Sequence, residues 1–246
     1  MMFRQQLPIA FAITLGMTSL INPPTSAQIQ HGTLLSQTRP DPPPTPPDNQ
    51  GKPGGGLDPS DSACKSKTKP LTALIPIKNP VLTTSEHPTF LFYVPDQAED
   101  VRLGEFYILT QDEKKWVYKT RFKLPQTPGI ISISLPSLPE TSLEDNQYYH
   151  WYFKLYCQDN TTSKADLDVN GWVQKVELTA ERKRQIEAAE PDIWYDVVAN
   201  VAERLRTSPD DSTLKHQWLN LLRLIEAEDL AEEPLVGSVV LLEEEE

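Results

Sequence analysis

The side chains of this chain that could do chemistry are few and poorly grouped. Its histidines, His31, His87, His150 and His216, fall on a linker, a loop, a strand and a helix. No two stand at metal-ligand spacing. Asp112, Glu113, Asp145 and Asp159 lie in loops and could pair as the carboxylates of a glycosidase. In a chain of formal net charge -12, solvated loop acids are the simpler reading. There is no G-x-S-x-G elbow, and Gly54-Gly55-Gly56 lacks the strand and helix that a phosphate loop needs. Asn160-Thr161-Thr162 matches a glycosylation sequon that carries no further signal. No catalytic residue, cofactor-binding residue or metal ligand is assigned, and no cofactor is expected.

The remaining candidate is a binding face. From Tyr148 to Cys157 the chain alternates with a period of two. Tyr149, Trp151, Phe153, Leu155 and Cys157 fall on one side, and Tyr148, His150, Tyr152, Lys154 and Tyr156 on the other. Alternate strand residues point to opposite faces, so this reads as a central strand with one face buried. Tyr148, His150, Tyr152 and Tyr156 form a row of rings with polar tips. Such a row can stack on sugars or grip a protein partner. It can equally seat the C-terminal helices, and the expectation is that those helices cover it.

Compartment bears on the two cysteines, Cys64 and Cys157. Arg4, the apolar run from Leu7 to Ile21 and the small residues Thr25-Ser26-Ala27 have the build of a cleaved export signal, residues 1–27. The run is shorter than the ~20 residues that span a bilayer, so no stable membrane insertion is expected after cleavage. In an oxidising periplasmic or extracellular location, two cysteines pair most simply as a disulfide. The alternative leaves Cys157 a buried thiol and Cys64 a free one. The acidic balance argues against nucleic-acid partners.

The elements that must position these residues follow in order. Residues 28–66 are rich in proline and glycine and read as a disordered linker. Residues 67–178 carry strand-like segments at sandwich spacing: Leu71–Pro76, Thr89–Val94, Val101–Leu109 with Gly104 as a bulge, Trp116–Leu124, Gly129–Leu135, the aromatic strand and Gly171–Leu178. In the fourth, Trp116, Tyr118, Thr120, Phe122 and Leu124 are expected to share one face. Leu143, a turn at Asp145-Asn146 and then Tyr149 have the pattern of a tyrosine corner. Residues 179–232 turn helical, with Ile193, Trp194, Val197, Val198, Val201 and Leu205, then Leu214, Trp218, Leu221, Leu222 and Ile225, at helical spacing. Residues 233–246 read as an acidic tail. The expected fold is α+β: an immunoglobulin/fibronectin-like antiparallel β-sandwich followed by a helical hairpin packed on it.

The segments LTALIP (71–76), LTTSEHPTFLFYVP (82–95), PGIISISLP (128–136), YHWYFKLYC (149–157), GWVQKVEL (171–178) and IWYDVVANVAERLR (193–206) together resemble the cyanobacterial domain-of-unknown-function family 928. The resemblance implies an exported protein with a sandwich-like core and a helical C-terminus, and brings no catalytic residues with it. The functional expectation is a non-enzymatic envelope module that binds a protein or a glycan. The alternative is a domain that binds or acts on carbohydrate.

Overall fold

Period-two segments of this chain pair into two sheets that face each other across an aromatic core. The computed structural model describes residues 44–52, 64, 69–158 and 164–242. Residues 1–27, read above as an export signal, His31, Asp159 and the sequon lie outside the described residues. The strands are β1 (Thr72–Ala73), β2 (Leu82–Thr83), β3 (Thr89–Val94), β4 (Leu103–Thr110), β5 (Trp116–Lys123), β6 (Gly129–Ser134), β7 (Tyr148–Tyr156) and β8 (Leu167–Lys175). Helices α1 (Ala180–Glu187), α2 (Trp194–Thr207) and α3 (Ser212–Leu224) follow, then β9 (Leu235–Ser238) and β10 (Val240–Leu241). One sheet has the order β1-β3-β6-β9 and the other β10-β5-β4-β7-β8-β2. The class is α+β with a sandwich-like arrangement.

The sheets are mixed, which corrects the all-antiparallel expectation. β2 runs parallel to β8, and β9 runs parallel to β6. The cause is sheet switching. β1 lies in one sheet and β2 in the other, and β9 and β10 divide in the same way at the opposite end of each order. A strand reached by such a crossing is free of the antiparallel rule that a tight hairpin imposes.

The core follows from alternation. Trp151, Phe153 and Leu155 of β7 are fully buried, as are Phe106 and Ile108 of β4 and Phe122 of β5. Phe90 and Phe92 face them from β3, with Phe92 stacked on Phe153 at 4.1 Å and edge-on to Trp151 at 5.5 Å. Each such ring withdrawn from water contributes roughly 1.5–3 kcal/mol before entropy. Gly104 is no bulge. A Cβ there would lie 2.1 Å from the Phe122 ring, so the glycine makes room for that ring.

Three further expectations are corrected. The first strand is only Thr72–Ala73, because the chain must leave β3 to reach the other sheet. Part of the presumed linker is packed. Asn49 is buried, its side-chain amide donates to the Pro76 carbonyl at 2.8 Å, and its Oδ1 accepts from Trp172 N at 2.7 Å. A polar side chain that mimics a strand partner lets a proline-rich segment dock without a core of its own. The presumed acidic tail contains β9 and β10, whose short apolar runs pair with β6 and β5.

The helices hold the sandwich at the β1–β2 crossing. Thr179 caps α1 by accepting from Arg182 N, and Asp211 caps α3 by accepting from Thr213 N and Leu214 N. The first residues of α2 make the joint. Trp194 Nε1 donates to the Leu74 carbonyl at 2.7 Å. The Tyr195 hydroxyl accepts from Trp151 Nε1 at 2.8 Å and donates to the Trp172 carbonyl at 3.0 Å. The Asp196 carboxylate accepts from both hydroxyls and one amide of Thr83-Thr84 at 2.7–3.0 Å. Beyond this turn, Ala199, Ala202, Glu203 and Arg206 of α2 lie over Leu91, Ile130 and Ser132, on the outer face of the four-stranded sheet. The hairpin therefore packs on the sheet opposite β7, and it does not cover the tyrosine row.

Tyr195→Phe strands the Trp151 indole N–H in a dry interior and should cost about 2–3 kcal/mol, read as a lower urea midpoint with unchanged slope. A midpoint within error of the wild type would show that the hydroxyl relay contributes nothing. The Cys64–Cys157 bond closes a sequence separation of 93 residues. Reducing it should lower stability by on the order of 4–5 kcal/mol in the chain-entropy account; an unchanged midpoint in reductant would count against that account.

Candidate functional site

The outer face of β7 is largely covered, but not by the helices expected to cover it. Tyr148, His150 and Tyr156 are 5%, 8% and 6% exposed, and Tyr152 is half-buried. Neighbouring strands, not the helices, do the covering. The His150 ring stacks on Trp172 of β8 at 4.0 Å and 9°. Its Nδ1 meets Glu113 at 2.6 Å and its Nε2 meets Asn170 Oδ1 at 3.1 Å. Both ring nitrogens thus face acceptors, and His150 ties β7 to β8 and to the β4–β5 turn. Tyr152 donates to the same Glu113 oxygen at 3.2 Å, and Tyr156 donates to Glu105 at 3.1 Å.

Residues that sequence reasoning missed complete the surface. Tyr107 of β4 stacks on Tyr152 at 4.9 Å and 23°, and the Lys154 ammonium lies 5.1 Å and 5.7 Å from these two ring centres. Trp116 packs edge-on to Tyr107 at 5.0 Å, with Lys119 5.1 Å from its ring. Trp116 belongs here because the register slips. Ile108 pairs with Tyr118 and Leu109 with Trp116, which leaves Val117 as an extra residue. The bulge turns Trp116 away from Tyr118, Thr120 and Phe122 and onto the outer face, where it is 53% exposed. The expectation that Trp116 shares one face with Tyr118, Thr120, Phe122 and Leu124 is corrected on this ground. Alternation counted from Phe122 backwards has no means of registering one inserted residue.

The site's geometry restricts what it can do. Tyr107 and Tyr152 spend their flat faces on each other, and Lys154 sits over both. Trp172 spends one face on His150. What stays exposed is the Trp116 indole and Lys119, with Tyr107, Tyr152 and Lys154 half-buried. Glu105 and Glu113 lie among them, with Arg121 bonded to Glu105 at 3.0 Å.

The other sequence candidates are placed as follows. Cys64 and Cys157 are bonded to each other. Among the described residues the one group with metal-ligand proximity is this pair with Asp166, whose carboxylate accepts from Cys157 N. His87 meets the Leu138 carbonyl, and His216 is exposed on α3. Asp112 accepts from the Thr110 hydroxyl, which is the main cause of its lowered pKa, and pairs with Lys114. Asp145 holds the largely buried Lys175. The loop acids thus fasten turns and strand ends. No helix among the described residues is long and apolar enough to cross a membrane.

The phenols of this face should titrate late. Burial first, and then the Glu105 carboxylate, push Tyr156 up to about 12. Burial and Glu113 move Tyr152 further the same way, and burial raises Tyr195 most. The unfolded chain titrates its tyrosines near ~10. Because the folded state raises these values, their stabilising effect is complete below the unfolded value and is lost as pH rises through about 12. A spectrophotometric titration of the folded protein should leave part of the phenolate absorbance undeveloped until the fold opens. Full amplitude near pH ~10.5 with an unchanged circular dichroism spectrum would exclude this packing.

No curated protein and no solved structure matches the chain. A family model does, over residues 51–235, a stretch that runs from the docked segment at Gly51 through both sheets and the helical hairpin. That is well over half of the chain, and it contains the aromatic face, the Tyr195 joint and both cysteines. The chain belongs to the family described as Domain of Unknown Function (DUF928).

Proposed function

We propose that this protein is an exported, non-enzymatic binding module of the cell envelope whose contact surface is the outer face of the six-stranded sheet. The observation that carries the reading is Trp116, a large indole left 53% exposed by a bulge that turns it outward beside Tyr107 and Lys119. Exposed aromatic and cationic groups side by side on a sheet face are the kind of anchor that protein interfaces use. Export is supported by the build of residues 1–27 and by the disulfide. The docked proline-rich segment then acts as the base of a tether. An immunoglobulin/fibronectin-like assignment is supported by two features. Strands β1-β3-β6 face β5-β4-β7-β8, and the Tyr149 hydroxyl accepts from Glu144 N at 2.9 Å, the bond of a tyrosine corner.

A protein partner fits this face better than a glycan. Sugar recognition uses the flat faces of aromatic rings, and most of those faces are taken up by neighbouring rings and lysines. The exposed Trp116 indole is the one feature that favours the carbohydrate reading.

The mature protein immobilised on resin should retain a defined envelope protein, and Trp116→Ala with Lys154→Ala should lose it. Peptidoglycan and a glycan array should show no binding, with Tyr152→Ala as control. Glycan binding that disappears in Trp116→Ala or Tyr152→Ala would replace the protein reading with the carbohydrate one. Retention of nothing from any envelope fraction would remove both.

A further inference from the structure

We infer that the cavity between the helical hairpin and the chain entering β9 binds a small apolar molecule that carries a single carboxylate. The site shares no residue with the Trp116 face and goes beyond the binding-module reading. The cavity has a volume of about 630 Å³, within the ~300–1,000 Å³ usual for small-molecule sites. Leu205 of α2, Trp218 and Leu219 of α3, and Ala231 and Leu235 supply its apolar wall, and the hairpin turn at Pro209-Asp210 also lines it. Leu205 and Trp218 are buried, whereas Leu219, Ala231 and Leu235 are half-buried. Apolar surface is thus left in contact with the cavity that packing of the helices does not cover.

One donor in this wall is unsatisfied. Trp218 is 1% exposed, and its Nε1 has no hydrogen-bond partner. Two other tryptophans of the same core show the alternative. Trp151 donates to the Tyr195 hydroxyl and Trp194 to the Leu74 carbonyl. A buried donor left unpaired costs about 1–3 kcal/mol, and each such group in a native structure calls for an explanation. An indole N–H donates only. Whatever satisfies it must therefore present an acceptor oxygen.

Helical spacing sets the charge beside that donor. Lys215 stands one turn before Trp218 and Leu219 on the same face of α3, and all three line the cavity. Lys215 and its neighbour His216, also in the lining, have no ion pair among the described residues. Arg206, the remaining cation, is already engaged, since its guanidinium donates twice to Glu203 at 2.7 and 2.9 Å. An anionic oxygen placed against the indole thus meets an unpaired ammonium group nearby. The acids of the lining limit the ligand's charge. Glu233 is bonded to Lys69 at 2.5 Å, whereas Asp210 and Glu232 are exposed and have no ion pair among the described residues. They repel a ligand with several negative groups. One carboxylate on an apolar body suits the donor, the lysine and the wall together.

Decanoate, decanol and decylammonium, each kept below the concentration at which it aggregates, separate the contributions of head group and apolar body. In calorimetry with the full chain, decanoate should bind saturably and roughly tenfold tighter than either of the others. In the proton NMR spectrum the Trp218 indole N–H, assigned through Trp218→Phe, should move downfield as decanoate is added, while that of the exposed Trp116 stays in place. Lys215→Glu with His216→Glu, both at exposed positions, should weaken decanoate roughly tenfold while leaving decanol binding and the urea midpoint unchanged. Trp116→Ala should alter none of this. Equal binding of the three probes would overturn the inference, as would a Trp218 N–H that does not move at saturation. So would decanoate binding that survives the double charge reversal or disappears in Trp116→Ala. None of these results touches protein capture at Trp116, so the two readings stand or fall separately.

Discussion

The Tyr195 hydroxyl, held between the Trp151 indole and the Trp172 carbonyl, is the contact on which the rest of this fold depends. A chain that changes sheets between β1 and β2 opens the edge of its own sandwich. Carbonyls at the change, Leu74 among them, have no strand partner, and buried carbonyls without partners are costly. The first turn of α2 supplies what is missing through consecutive residues: Trp194 for the Leu74 carbonyl, Tyr195 for the core, and Asp196 for the hydroxyls of Thr83 and Thr84. The helical hairpin is therefore part of the sandwich's closure, which accords with a family match that spans both.

That closure explains where the exposed chemistry ends up. The outer face of the four-stranded sheet carries Leu91, Tyr93 and Ile130, all buried, and it lies beside the Tyr195 joint. The hairpin settles there because its anchor fixes where the apolar stripe of α2 must lie. The six-stranded sheet is left to satisfy its outer face from its own strands. It does so by stacking rings on rings and lysines on rings, and by pairing His150 and the tyrosine hydroxyls with Glu113 and Glu105.

Several of these features were legible in the amino-acid order. Alternation from Tyr148 to Tyr156 identified the central strand and its buried face, because a fully packed strand leaves a period of two. The stripe from Ile193 to Leu205 identified a buried helix. Neither pattern states against which surface a face is buried. Both outer faces offer aromatic and aliphatic residues, and the choice is made by hydrogen bonds between Trp194, Tyr195 and Asp196 and residues 74, 83, 84, 151 and 172, distant in sequence. Trp116 was misplaced for a different reason. One extra residue at Val117 reverses the phase of everything before it, and a two-residue rhythm holds no record of that. The docking of Asn49 was hidden because proline and glycine content measures the inability to build a core, not the ability to lie against one.

The two ends of the sandwich then differ in a way that bears on binding. At the β1–β2 crossing, three side chains of α2 and the docked segment around Asn49 fill the gap. At the other crossing, β9 and β10 carry the chain from one sheet to the other with short pairings: Leu235, Gly237 and Ser238 against β6, and Val240 and Leu241 against β5. The family match stops at residue 235, before β10 begins. The end that holds the Tyr195 joint is thus closed by buried side-chain hydrogen bonds, and the end at β9 and β10 by short backbone pairings. The Tyr195 joint is buried in the core, whereas Trp116 stands exposed on the outer face of the six-stranded sheet, so a contact at Trp116 need not disturb the joint.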